Sequence, residues 1–245
     1  MEQVLYNTIA GAKPILPDGA SFYYSDYNNK GAKKGYHNDK WPCCSGTFPQ
    51  LAADYGISSY YRGKDGIYVN LFLPSRVTWM QNGTGCTLTQ KTSYPASNAT
   101  QLRLELARPE NFSIFLRVPA WTDARARISI NGKRAEGEVV PGKFFALART
   151  WKNGDRVEFE IGMPLRLKAV DSQNPDTVAL VRGPLALFAV GTPPEKLTRG
   201  DLLAAAAASS TSDDWVVKAP QGRVTFRPFA VIGGEPYRLY QSVGV

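Results

Sequence analysis

Apolar and polar positions follow one period at the start of the chain and another from about residue 58 onward. Over residues 1–12, Val4, Leu5, Ile9 and Ala12 recur at helical spacing. Pro14, Pro17, Asp18 and Gly19 then break the pattern. A second helix is expected over FPQLAADYG, with Ser45 or Thr47 as its cap, Pro49 near its first turn and Gly56 at its stop. From there the period becomes two. In QLRLELARP (101–109), Leu102, Leu104 and Leu106 share one face, and Arg103 and Glu105 the other. NFSIFLRVPAW continues the alternation. Lys64-Asp65-Gly66, Asn82-Gly83, Asn131-Gly132 and WKNGD supply turn signals between the alternating runs. Short strands separated by turns roughly every 8–12 residues predict a mainly β fold built as an antiparallel β-sandwich.

The last third is less regular. VDSQNPDT (170–177) predicts a turn, and VALVRGPLALFAVG predicts two strands broken at Gly183-Pro184, because proline donates no hydrogen bond within a sheet. EKLTRGDLLAAAAAS (195–209) predicts one helix from its alanine run, with a mobile loop as the alternative at its Ser-rich end. GRVTFRPFAVIGGEPYRLY predicts two strands around Gly233-Gly234. No internal repeat is evident. The resulting division is a helix and loop segment over 1–57, a β-sandwich over 58–170, and a second β-rich segment with one helix over 171–245.

Composition narrows the function. The net charge of +8 is spread in pairs such as Lys33-Lys34 and Lys133-Arg134, without a basic helix or a nucleic-acid motif. No nucleic-acid partner is expected. No run of 18 apolar residues exists, so no membrane-spanning helix is expected either. The N-terminus lacks the pattern of a signal peptide, which makes the cytoplasm the default location. Aromatic residues make up 11% of the chain, a content that suits β-sheets and equally suits stacking on sugar rings.

The candidate chemistry lies in Trp41-Pro42-Cys43-Cys44-Ser45-Gly46-Thr47. There are three cysteines, Cys43, Cys44 and Cys86; an odd number with two adjacent is a poor disulfide framework. Two thiols beside a helix N-terminus sit where partial positive charge favours thiolate. A thiolate is a nucleophile and also a soft ligand for Zn²⁺. On the residues alone, three roles stand open: buried inert thiols, a metal site, or catalysis. His37 and Asp39 are near in sequence and are candidate acid/base groups or ligands. Tyr24, Tyr36 and Trp41, with Tyr23 and Tyr27, are candidates for stacking on a sugar. Cys86 falls in a strand-like run and is expected to be a small core residue.

The order of motifs resembles a known family. EQVLYNTIAGA, FYYSDY, HNDKWPCCSGTFPQLAADYG, SSYYRGKDGIYVNLFLPS, TSYP, FSIFLRVPAW, ISINGK, W-x-x-GD-x-V-x-F-x-I-x-MPLRL and VALVRGPLALF resemble, over about residues 1–190, the β-L-arabinofuranosidase-like glycoside hydrolases. The resemblance implies an (α/α)₆ catalytic barrel followed by β-sandwich domains, so that 1–57 would be a helical remnant of the barrel. It implies Cys43 as nucleophile toward the anomeric carbon, with Cys43 and Cys44 binding Zn²⁺. It also implies a retaining reaction on terminal β-L-arabinofuranosides or similar glycosides. The family's other zinc ligands, a Glu and a Cys, and its acid/base Glu come from upstream barrel segments. No Glu-x-Cys motif occurs here, and Glu2 is the sole Glu before Cys43. The chain is therefore expected to be a fragment, a natural truncated gene product, or a form that works differently. The alternative is a noncatalytic carbohydrate-binding accessory module. An aromatic face uncovered by a missing barrel would promote self-association into a homo-oligomer.

Overall fold

The computed structural model describes residues 1–12, 27–29, 50–51, 53–192, 197–209 and 212–244. The described residues form two units. One comprises those of Met1–Ala53 and Leu165–Val245, the other those of Asp54–Pro164.

The Asp54–Pro164 unit is a β-sandwich. One sheet runs in the order Phe144–Trp151, Glu110–Arg117, Gly66–Val69, Tyr60–Gly63. The other runs Ser75–Gln81, Thr84–Thr92, Ala99–Leu106, Arg156–Glu160, Arg127–Ile130, Lys133–Arg134. All pairings are antiparallel except that of Gly66–Val69 with Glu110–Arg117. The alternation read from QLRLELARP is the burial pattern: Leu102 and Leu104 are fully buried, and Leu106 is 7% exposed. Trp79 of the six-stranded sheet meets Phe112 of the four-stranded sheet edge to face at 5.7 Å, joining the two layers. Trp151 is buried beside Phe112 and donates its indole N–H to the Phe112 carbonyl at 3.0 Å. Phe72 is wedged edge-on against both Tyr94 and Phe159 at 5.6 Å.

Two Asn-Gly hairpins turn this sandwich. Asn82 and Gly83 have φ of 48° and 78°, and Asn131 and Gly132 have φ of 50° and 78°. Consecutive left-handed residues give the turn whose twist matches paired strands, and Asn and Gly tolerate that conformation best. Asn131 also donates its amide to Asp155 at 2.8 Å, while its side-chain oxygen accepts from the Arg156 N–H at 2.9 Å. Asp155 in turn accepts from the Lys152 N–H at 2.9 Å. The ISINGK turn and the WKNGD turn are thus pinned to each other.

The other unit is built on a ten-stranded sheet. Its main path runs Leu197–Thr198, Tyr240–Gly244, Thr177–Arg182, Leu185–Val190, Gly222–Pro228, Trp215–Ala219, Ala206–Ala207. Leu165–Ala169 pairs with Thr177–Arg182, and Tyr237–Arg238 pairs with both Leu185–Val190 and Asn28–Asn29. The nearly unbroken apolar run from Val178 to Val190 reflects burial on both faces of this sheet. On one face Phe188, Phe229 and Tyr237 contact one another with centroids 5.0–5.8 Å apart, in a core completed by Val181, Ile232 and Leu239.

The N-terminal residues are helical, as their period predicts, with an α-turn over Glu2–Val4, a π-turn over Leu5–Ile9 and a 3₁₀ turn over Ala10–Ala12. Asn7 fastens this segment to the sheet. Its amide donates to the Pro184 carbonyl at 2.8 Å and its oxygen accepts from the Ala186 N–H at 2.7 Å.

The single helix expected over 195–209 is corrected. Among the described residues of that stretch only Arg199–Leu203 is helical, and its N-terminus is held by a capping box in which Thr198 and Asp201 exchange bonds. Ala206–Ala207 then pairs as a strand with Trp215–Val216, and the Ala208 N–H bonds to the Asp214 carbonyl at 2.8 Å. A free strand edge satisfies these backbone groups, and tertiary pairing overrides the helix propensity of alanine. The same edge strand, Trp215–Ala219, has no counterpart in the expected elements.

Candidate functional site

Cys43, Cys44, His37, Asp39, Tyr24, Tyr36 and Trp41 all lie outside the described residues. The described segments nearest to them in sequence are anchored by ordinary backbone chemistry. On the N-terminal side, Asn28–Asn29 adds to strand Tyr237–Arg238, and the Leu239 N–H donates to the Tyr27 carbonyl at 2.8 Å. On the C-terminal side, residues 53–57 are helical, and the Ser58 N–H closes the helix on the Asp54 carbonyl at 3.1 Å. Gly56 lies in the last turn of this helix, where its carbonyl accepts from the Ser59 N–H at 3.2 Å.

Cys86 is 2% exposed, with its thiol directed at the Thr84 carbonyl at 3.5 Å. Burial raises its pKa, so it is held as the thiol, a small core residue as expected. Among the described residues, no three His, Cys, Asp or Glu side chains stand close enough to share a metal ion.

A cleft of the ten-stranded unit encloses about 740 Å³. Its floor includes Phe188, which is fully buried, and its walls include Tyr27 and Tyr240. Tyr27, one of the aromatic residues expected at a sugar surface, is 44% exposed and leans over Phe188 at 6.1 Å. Strand Leu165–Ala169 brings Arg166 and Lys168 to the cleft. The two cations are two residues apart, so they share a strand face, and pairing sets them opposite Val181 and Ala179. Arg166 donates from Nη2 to the Gly183 carbonyl at 2.9 Å, while its Nε–H is buried without an acceptor. Burial lowers the pKa of this guanidinium from its ordinary value. Sequence reasoning missed this pair, although two cations at alternate positions of an otherwise apolar strand, LRLKA, were the signal available.

Residues 66–163 match the sequence model described as "Beta-L-arabinofuranosidase, GH127 middle domain". Among characterised proteins, the non-reducing end β-L-arabinofuranosidase of Bifidobacterium longum subsp. longum is 24% identical over 211 residues, covering 77% of this chain and 31% of that protein. Among solved structures, a GH127 β-L-arabinofuranosidase from Geobacillus stearothermophilus T6 superimposes with a TM-score of 0.79 at 20% identity, covering all of this chain and 46% of its own. A GH127 β-arabinofuranosidase superimposes with a TM-score of 0.72 at 21% identity over 99% of this chain and 45% of its own. This chain therefore spans under half the length of each of these relatives. With a matched middle domain and a fold shared along its length, the chain is GH127-like over the part of those proteins that it spans.

Proposed function

We propose that the chain serves a retaining glycoside hydrolase acting on terminal β-L-arabinofuranosides or similar glycosides, with Cys43 as the nucleophile. The observation that carries this reading is the match of residues 66–163 to the middle domain of β-L-arabinofuranosidases. The Cys43-Cys44 motif stands upstream of that domain in the motif order of the family.

The reaction follows from a thiolate at position 43. Its sulfur attacks the anomeric carbon, and the C–S bond forms as the bond to the leaving oxygen breaks. An acid donates a proton to that oxygen. Water then attacks the same carbon and gives up a proton to the conjugate base, and the C–S bond breaks to return the thiolate. Two inversions retain the anomeric configuration. His37 and Asp39 are the candidate proton carriers within this chain, and Tyr24, Tyr36 and Trp41 are its candidate stacking surfaces. Cys43 and Cys44 would hold Zn²⁺, which supplies a thiolate at neutral pH. Further ligands and the family's acid/base Glu would come from outside this motif.

The chain is incubated with an aryl β-L-arabinofuranoside in the presence of zinc, quenched in acid and mapped by peptide mass. A pentosyl thioether on the Cys43 peptide is expected. A pentosyl group on another residue, or neither adduct nor aglycone release, would overturn the assignment.

A further inference from the structure

We propose that the cleft of the ten-stranded unit binds a carboxylate-bearing sugar, with the carboxylate held by Arg166 and Lys168 and the ring set against Tyr27 and Tyr240. The cleft's volume of about 740 Å³ falls within the usual range for small-ligand sites, roughly 300–1,000 Å³. Its charge is one-sided: no Asp or Glu lines it among the described residues, while Arg166 and Lys168 both do. Arg166 is half-buried and has no carboxylate partner among the described residues. Other arginines of the same unit are paired: Arg227 with Asp214 and Glu235, and Arg199 with Asp176.

A cation withdrawn from water and left without a counter-ion favours any anion that reaches it. Arg166 is also fixed in direction, because Nη2 is tied to the Gly183 carbonyl and strand pairing holds its backbone against Val181. A planar guanidinium held in this way matches the planar fork of a carboxylate better than a tetrahedral or spherical anion. Lys168, exposed and two residues along the same face, adds a second positive charge at the rim. The rings of Tyr27 and Tyr240 offer the surfaces on which the C–H face of a sugar packs. The choice of a sugar as the carrier of the carboxylate rests on the glycoside hydrolase reading; the anion preference rests on the cleft alone.

The test is calorimetric titration of the 245-residue chain with galacturonate, with galactose and with acetate. Galacturonate should bind saturably, and galactose and acetate each at least about tenfold more weakly. Arg166→Met should weaken galacturonate about tenfold or more. Lys168→Gln, at an exposed position where folding is not at issue, should weaken it about two- to fivefold and flatten its salt dependence. Failure of galacturonate to bind, or equal binding of galactose, overturns the proposal. So does equal binding of acetate, or indifference of the affinity to both substitutions. These readouts involve no turnover, so failure of the hydrolase reading would appear in the aryl-glycoside assay and leave them unchanged.

Discussion

At the scale of single residues, the motifs that carry the family resemblance are largely structural pins. Asp155 of WKNGD is 8% exposed and joins the Lys152 N–H to the Asn131 amide. Asp155→Ala leaves both donors without their acceptor and should cost about 2–3 kcal/mol, measured by denaturant unfolding of the sandwich. Asn7 plays the equivalent part in the other unit, and Asn7→Ala should cost about 1–2 kcal/mol there, with faster amide exchange at Ala186. A further pin, outside those motifs, titrates. Two hydrogen bonds from Arg227, at 2.7 and 2.9 Å, hold the Asp214 carboxyl below its ordinary pKa. A depressed folded pKa contributes stability that is present above the unfolded value, near 3.8, and is lost as pH falls through the folded value. The melting difference between the parent chain and Asp214→Asn should therefore be largest near neutrality, about 1–2 kcal/mol given the pair's partial exposure, and vanish in strong acid. A difference that grows on acidification would contradict it.

At the scale of elements, positions with a strong local rule were readable. The Asn131-Gly132 turn and the alternation of Leu102, Leu104 and Leu106 each state their conformation within a few residues. Non-local pairing was not readable. Ala206–Ala207 becomes a strand because Trp215–Val216 offers an edge, and nothing within the alanine run reports that edge. The parallel pairing of Gly66–Val69 with Glu110–Arg117 is equally silent in sequence, yet it leaves one testable mark. Gly66 has φ of 152°, and a Cβ there would lie 1.9 Å from the Ser113 carbonyl oxygen. Gly132, with φ of 78°, faces open space. Gly66→Ala should destabilise the sandwich by about 3 kcal/mol or more, since the obstacle is backbone, and Gly132→Ala by only about 1 kcal/mol. Equal costs in paired thermal melts would show that the parallel contact is looser than described.

At the scale of the whole molecule, the β-rich architecture and the family resemblance were both in the sequence, because the resemblance rests on core and turn positions spread over most of the chain. The N-terminal helical segment belongs with the C-terminal sheet through Asn7, a contact spanning more than 170 residues that no periodicity could report. The cleft with Arg166 and Lys168 was hidden for the same reason, since its walls come from the two ends of the chain. The proposed chemistry stays with Cys43. Its most direct measurement is the initial rate of aglycone release from an aryl β-L-arabinofuranoside, with zinc supplied, by the parent chain and by Cys43→Ser and Cys86→Ala. Release by the parent chain, its abolition in Cys43→Ser and its persistence in Cys86→Ala is the expected result. No release by the parent chain, or release undiminished by loss of the Cys43 sulfur, would contradict the account.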